Sequence, residues 1–383
     1  MKTLFLLDPA IYFLNHGSFG ACPQPVFEVY QHWQRELERQ PVEFLGRRIT
    51  NLMAEARAAL AAYLNVAPDE VVYFPNPTTA VNMVARNLAL EPGDEILTTD
   101  HEYGAMERTW HFICKRSGAV CRRQAIPLPV STPQAFVEAF WAGVTPRTRV
   151  IFISHITSPT ALTFPVSDIC HRAREQGILT IVDGAHAPGQ IPLDLTEIGC
   201  DLYAGACHKW LCAPKGAAFL FARRPIQPWL DPLVVSWGYE SDSPSASQFV
   251  DYHEWQGTRD MAAFLSVPAA IEFQQNHQWP AVRARCQALA IATRRRINAL
   301  TGLPEVCPDP SADGYPWFTQ LFTARLPATA DLTGLKQRLY DDYRIEVPLI
   351  SWNGQKFIRV SFQAYNDSAD ADALLEALTR LLL

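Results

Sequence analysis

Two short polar clusters each follow an apolar run. Asp183-Gly184-Ala185-His186 comes directly after Leu179-Thr180-Ile181-Val182, and Cys207-His208-Lys209-Trp210 comes directly after 202–206. Such runs read as strands of a sheet, and open parallel sheets bind ligands beyond the carboxyl ends of their strands. A buried Asp and a Lys about two strands apart suit pyridoxal phosphate. The lysine forms an imine with its aldehyde, and the carboxylate keeps its ring nitrogen protonated, so that the ring draws electrons from the Cα of an amino-acid-like substrate. Once released, Lys209 is free to move the Cα proton, provided burial and nearby positive charge lower its pKa. The stretch Pro75-Asn76-Pro77-Thr78-Thr79-Ala80 offers backbone N–H groups and the hydroxyls of Thr78 and Thr79 at a helix N-terminus, a site for the phosphate. A plain N-cap is the other reading of Thr78.

The elements that must position these residues alternate along the chain. Strands are predicted over 70–74, 95–100, 118–126, 149–156 and 179–183, with helices over 78–90, 104–116, 133–142 and 166–176 between them. This alternation implies crossover connections and a mostly parallel sheet covered on both faces. Strands over 203–208 and 216–222 have no helix between them, which adds an antiparallel or edge strand. The polar run 241–247 reads as an exposed loop near a domain boundary. Helical patterns over 262–276 and 279–301 follow. A strand over 317–323, a helix over 331–341, a strand over 356–362 and a helix over 369–382 then form a smaller C-terminal α/β domain.

Composition excludes several classes. At 383 residues with 48% hydrophobic content, the chain is long enough for more than one core. Its net charge is −6 with no basic block, which argues against nucleic acid. Nine cysteines without a CxxC pair read as reduced and intracellular. The apolar start is stopped by Asp8 and Pro9, too soon for a signal peptide, and no run is long enough for a membrane helix. A soluble, cytoplasmic protein is expected. No His/Cys/Glu cluster has ligand spacing, so no metal is expected, and no GxGxxG follows the first strand, which weighs against a nicotinamide dehydrogenase.

Seven motifs stand in order: Leu14-Asn15-His16-Gly17-Ser18-Phe19-Gly20, Asn76-Pro77-Thr78-Thr79-Ala80-Val81-Asn82, Ser154-His155-Ile156-Thr157-Ser158-Pro159-Thr160, Asp183-Gly184-Ala185-His186-Ala187, His208-Lys209-Trp210-Leu211, Gly257-Thr258-Arg259-Asp260, and Arg359-Val360-Ser361 before Tyr365-Asn366. With them the chain resembles class V of the pyridoxal-phosphate aminotransferase superfamily (fold type I), in the branch of isopenicillin N epimerase-like proteins, over nearly its whole length. The resemblance implies a large cofactor-binding domain over 16–260 and a small domain made of 1–15 and 261–383. It implies Lys209 as the Schiff-base lysine, Asp183 as the ring-nitrogen partner, His186 near the phenolic oxygen and Tyr103 stacked on the ring. Thr78 and His208 match phosphate contacts, and Thr258 matches one donated by a neighbouring subunit, which implies a homodimer with a shared active site. Arg359 matches the arginine that grips the substrate α-carboxylate. His16 and Arg47 are candidates to face the substrate. Two positions depart from the pattern: Ser158 stands where cysteine-desulfurase relatives carry an Asn on the phenolic oxygen, and Ala206 where many relatives have a phosphate-binding Ser.

Plainer readings stand beside these roles. His186 and His155 also read as satisfied core histidines, Tyr103 as a packing aromatic, and Arg359 as an ion-pair residue. Against the last, alternation over 356–362 puts Arg359 on one strand face with Phe357 and Ser361, where a guanidinium is costly to desolvate unless it meets an anion. With the phosphate assigned elsewhere, that anion is a substrate α-carboxylate, so the expected partner is a free amino acid. The expected activity is epimerisation or β-eliminating carbon–sulfur lysis. True transamination to a keto acid and a catalytically idle cofactor-binding module are the alternatives. A persulfide-forming desulfurase is disfavoured, because Cys307 is the last cysteine and 347–352 holds none.

Overall fold

Val71-Val72-Tyr73-Phe74 shows how the central sheet is built. Val71 and Tyr73 pack into the apolar cluster on one face, and Val72 and Phe74 into the cluster on the other. Leu97 and Ile96, Ile151 and Phe152, and Val182 and Ile181 divide in the same way. A sheet apolar on both faces needs helices on both. The computed structural model describes residues 1–310 and 314–382. Its large sheet has strands β1 (Val71–Phe74), β2 (Glu95–Thr99), β3 (Val120–Gln124), β4 (Thr148–Ser154), β5 (Leu179–Gly184), β6 (Leu202–Ala206) and β7 (Ala218–Ala222), in the spatial order β1-β7-β6-β5-β4-β2-β3. All neighbours pair in parallel except β7, which is antiparallel to both β1 and β6. The helix-free connection therefore gives an antiparallel strand, but one inside the sheet rather than at its edge.

Helices Pro77–Asn87 and Gly104–Ser117 cover one face, and Ile49–Leu64, Pro133–Trp141 and Val166–Glu175 the other. The C-terminal unit is a three-stranded antiparallel sheet, β8 (Leu321–Leu326), β9 (Leu349–Trp352) and β10 (Gln355–Ser361), with β10 in the middle. Its buried Phe357, Ile358 and Val360 join the same core cluster as β1 and β4. Tyr12–Phe13 runs parallel to Ile345–Glu346, which attaches the N-terminal segment to this unit. Among the described residues, no helix is long and apolar enough to cross a membrane.

The structure departs from the sequence expectations in a few places. The strand expected over 317–323 begins only at Leu321, because Trp317 donates its N–H to Tyr315 in a turn and its indole N–H to Ser131. The helix expected over 262–276 is split into Ala262–Leu265 and Val267–Asn276 around Pro268, whose ring cannot continue the ladder. The strand expected over 203–208 stops at Ala206, so that His208 and Lys209 lie in a turn.

Candidate active site

The carboxyl ends of four strands open on one cavity of about 280 Å³. Asp183 ends β5, Ser154 ends β4, the turn after β6 carries His208 and Lys209, and β1 leads into the helix starting at Pro77. Strand β10 adds Arg359, and the short helix His16–Phe19 adds Ser18 and Phe19. Two larger cavities, of about 580 and 600 Å³, lie beside the β2–β3 edge and at the amino ends of the strands. Neither holds a lysine paired with a buried Asp, so size does not locate the chemistry.

Backbone bonds clamp Lys209 in place. Cys207 and His208 N–H both donate to Ala217 O, His208 Nδ1–H donates to the same oxygen at 2.9 Å, and the Lys209 carbonyl accepts from Cys212 N–H. His16 Nε2 adds a bond of 3.0 Å to that carbonyl. Gly20, at φ 69°, passes so close that a Cβ there would lie 2.2 Å from His208 O, so only glycine fits. The partly buried Lys209 Nζ sits 3.3 Å from His186 Nε2. Burial pulls the amine down to about 8, with Asp183 opposing and Arg359 assisting.

Asp183 is 6% exposed and accepts one backbone hydrogen bond, from Ala185 N–H at 2.9 Å. Burial raises its pKa, against that bond and the charge of Lys209. A buried carboxylate with unspent lone pairs at the wall of a cavity suits a cationic N–H donor. Behind it, Glu102 accepts from the hydroxyls of Thr99 and Ser154, and burial pushes it up to about 8. Glu102 is not among the residues that the sequence motifs single out.

At the helix Pro77–Asn87, Asn76 caps the first turn by accepting from Thr79 N–H at 2.8 Å and from its hydroxyl at 3.0 Å. Thr79 is thereby spent on the cap and does not line the cavity, whereas Thr78 does. Of the two threonines expected at the phosphate, Thr78 is the one that the cavity wall contains. His208 also lines the cavity.

Arg359 is 5% exposed, yet among the described residues no carboxylate lies within ion-pair distance of it. Its Nη1 donates to Ser158 O at 2.6 Å and Ser158 Oγ at 3.1 Å, its Nη2 donates to Ser18 Oγ at 3.2 Å, and its Nε has no partner. Burial lowers it to about 10. Tyr103, 48% exposed, and Phe19 stand at the mouth. His16, a candidate to face the substrate, does not line the cavity. It is fully buried, and its ring nitrogens meet Tyr365 OH and Lys209 O, so it steadies Lys209 from behind. His155 is likewise turned to Tyr203 OH, at 2.9 Å. Thr258 is exposed and lies outside the cavity of its own chain.

Comparison with known proteins adds three findings. The family model for class-V aminotransferases matches residues 11–322. The chain is 39% identical to isopenicillin N epimerase of Amycolatopsis lactamdurans, over 98% of this chain and 96% of that protein. It is 28% identical to an L-cysteine desulfhydrase of Arabidopsis thaliana, over 96% and 87% of the two chains. Among solved structures, the cystine C–S lyase C-DES, in a form with glycine covalently linked to its pyridoxal phosphate cofactor, superposes with a TM-score of 0.85 at 22% identity, over 100% of this chain and 99% of that one.

Proposed function

Because the chain belongs to the class-V aminotransferase family, we propose that it is a pyridoxal-phosphate enzyme acting at the Cα and Cβ of a free amino acid, by epimerisation or by β-eliminating carbon–sulfur lysis. One observation carries the reading: a Lys of lowered pKa, a buried Asp without a cation and a buried Arg without a carboxylate share one cavity. These residues fit the cofactor. When bound, pyridoxal phosphate supplies an aldehyde for the substrate amine and a ring that withdraws electrons from Cα. Thr78 and the helix N-terminus would hold the phosphate, His208 would join them by taking a proton on Nε2 beside the anion, since its Nδ1–H is spent on Ala217 O, and Asp183 would keep the ring nitrogen protonated. Arg359 grips the α-carboxylate, and Lys209, as a neutral amine, takes and returns the Cα proton.

Epimerisation and lysis differ in whether the proton returns on the other face or a Cβ substituent leaves. The named relatives support both. A persulfide route finds no support, since among the described residues no cysteine lines the cavity and Cys307 is buried against Arg294. The test is a screen of L- and D-amino acids, including cysteine and cystine, that follows optical rotation, pyruvate, ammonia and sulfide. Borohydride reduction and peptide mapping of the holoenzyme accompany it. The pyridoxyl label is expected on Lys209; a label on Lys215, or no reaction with any amino acid, would sink the proposal.

The α-carboxylate assignment has its own test. Arg359→Lys loses a two-pronged contact worth about 1.5–3 kcal/mol. KM for amino acids is expected to rise about 10- to 100-fold with a smaller change in kcat. Unchanged KM, or wild-type enzyme that reacts only with amines lacking a carboxylate, contradicts it.

We also place the enzyme in the cytoplasm as a homodimer. All nine cysteines are free, and the exposed Val235 and Trp237, 69% and 87% accessible, suit a covered face. Thr258 then reaches the partner's phosphate. Sedimentation and activity across a dilution series are expected to fall together; monomers that keep full activity refute the shared site.

A further inference from the structure

We propose that Trp210 is a positioning residue: it fixes His186 as a neutral imidazole with its proton on Nε2, so that His186 donates a hydrogen bond into the site and never accepts one there. The consequence for catalysis rests on the cofactor reading above; the tautomer itself does not.

The argument begins with donor chemistry. An indole N–H can only donate. Trp210 Nε1 lies 3.2 Å from His186 Nδ1 and points its hydrogen at that atom. His186 Nδ1 must therefore present its lone pair, and in a neutral ring the proton then sits on Nε2. A second proton would set N–H against N–H.

The indole has no room to turn away. Trp210 is fully buried, its ring packs 4.9 Å from that of His16, and its carbonyl accepts from Gln274 at 2.8 Å. The charged or titratable groups that act on the imidazole are Lys209, Arg359 and His16, and all disfavour a second proton. On its own segment, Asp183 turns to Ala185 N–H, and the His186 carbonyl is taken by Gln190.

His186 Nε2–H faces Lys209 Nζ at 3.3 Å. An N–H meets a bonding partner there only when the amine has its lone pair, so the arrangement favours neutral Lys209, the form able to attack an aldehyde. Once the amine is engaged, the same N–H is available to an electron-rich oxygen.

The test is nitrogen-15 NMR of histidine-labelled protein, apo and holo, between pH 8 and 10, where the Lys209 amine carries its lone pair. His186 is expected to show a protonated Nε2 and a bare Nδ1 throughout; a proton on Nδ1, or a second proton within this range, overturns the proposal in the wild type alone. Replacing Trp210 by benzothienylalanine, which keeps the shape and exchanges N–H for sulfur, is expected to abolish the single tautomer. Retention of the Nε2–H form in that protein, or in Trp210→Phe, also overturns it, because a packing role alone leaves the tautomer unmoved. If neither variant folds, the wild-type spectrum decides. A pyridoxyl label missing from Lys209 would defeat the cofactor reading and leave this assignment standing.

Discussion

A Lys209→Ala variant is expected to fold and to lose at least about 10⁴-fold in turnover, the upper end of what a positioned acid–base group contributes. It should fold because the clamp on this turn is made by backbone groups: the Lys209 carbonyl bonds His16 and Cys212, and Cys207 and His208 bond Ala217. Among the described residues no ion pair is lost with the amine, and its burial was unfavourable to its charge. The lowered pKa adds a second measurement. A fall from 10.5 to about 8 raises the neutral fraction at pH 7 by about 300-fold. The rate of cofactor loading onto wild-type apoenzyme should therefore rise about tenfold per pH unit up to about 8 and then level off. A rate that keeps climbing to pH 10, or an alanine variant within tenfold of wild type, would remove Lys209 from the reaction.

The pairing of Lys209 with Asp183 was legible in the sequence because each closes an apolar run, and a strand end at a sheet's carboxyl edge leaves few places for a polar side chain. The sequence could not show that β5 and β6 are direct neighbours, with Ile181 beside Leu202; the expectation of two strands' separation was too wide. Other details depended on partners remote in sequence. His16 is turned from the cavity by Tyr365 and Lys209, 349 and 193 positions away. Thr78 and Thr79 look alike until Asn76 is seen to cap the helix through Thr79. The helix Gln24–Arg39 is not among the expected elements, although Val26, Tyr30, Trp33 and Leu37 recur at helical spacing and mark one amphipathic face. The motif around Lys209 assigns Trp210 no role, since the bond that gives it one joins the ends of two strands.

Asp183→Asn is expected to retain the cofactor and lose about 10²- to 10³-fold in kcat, the usual effect of removing one preorganised electrostatic partner. The amide oxygen can still accept from Ala185 N–H, so the local backbone stays in place. What is lost is the charge that keeps a ring nitrogen protonated, and with it the pull on the electrons left at Cα. A drop of less than tenfold, about 1.4 kcal/mol, would mean that Asp183 is not the ring partner. Unfolding can be separated from this effect by the sign of the pKa shift. Burial raises the Asp183 pKa above its ordinary 3.8, so the carboxyl's contribution to apoenzyme stability is present in full below 3.8 and is lost as pH rises through the raised value. Asparagine carries no such penalty. The apo variant should therefore match or exceed wild-type thermal stability at pH 7, and its relative advantage should shrink as the solution is acidified toward pH 4. An apo variant that melts below wild type at pH 7 would show that Asp183 holds the sheet edge together, and its lost activity would then say nothing about the ring nitrogen.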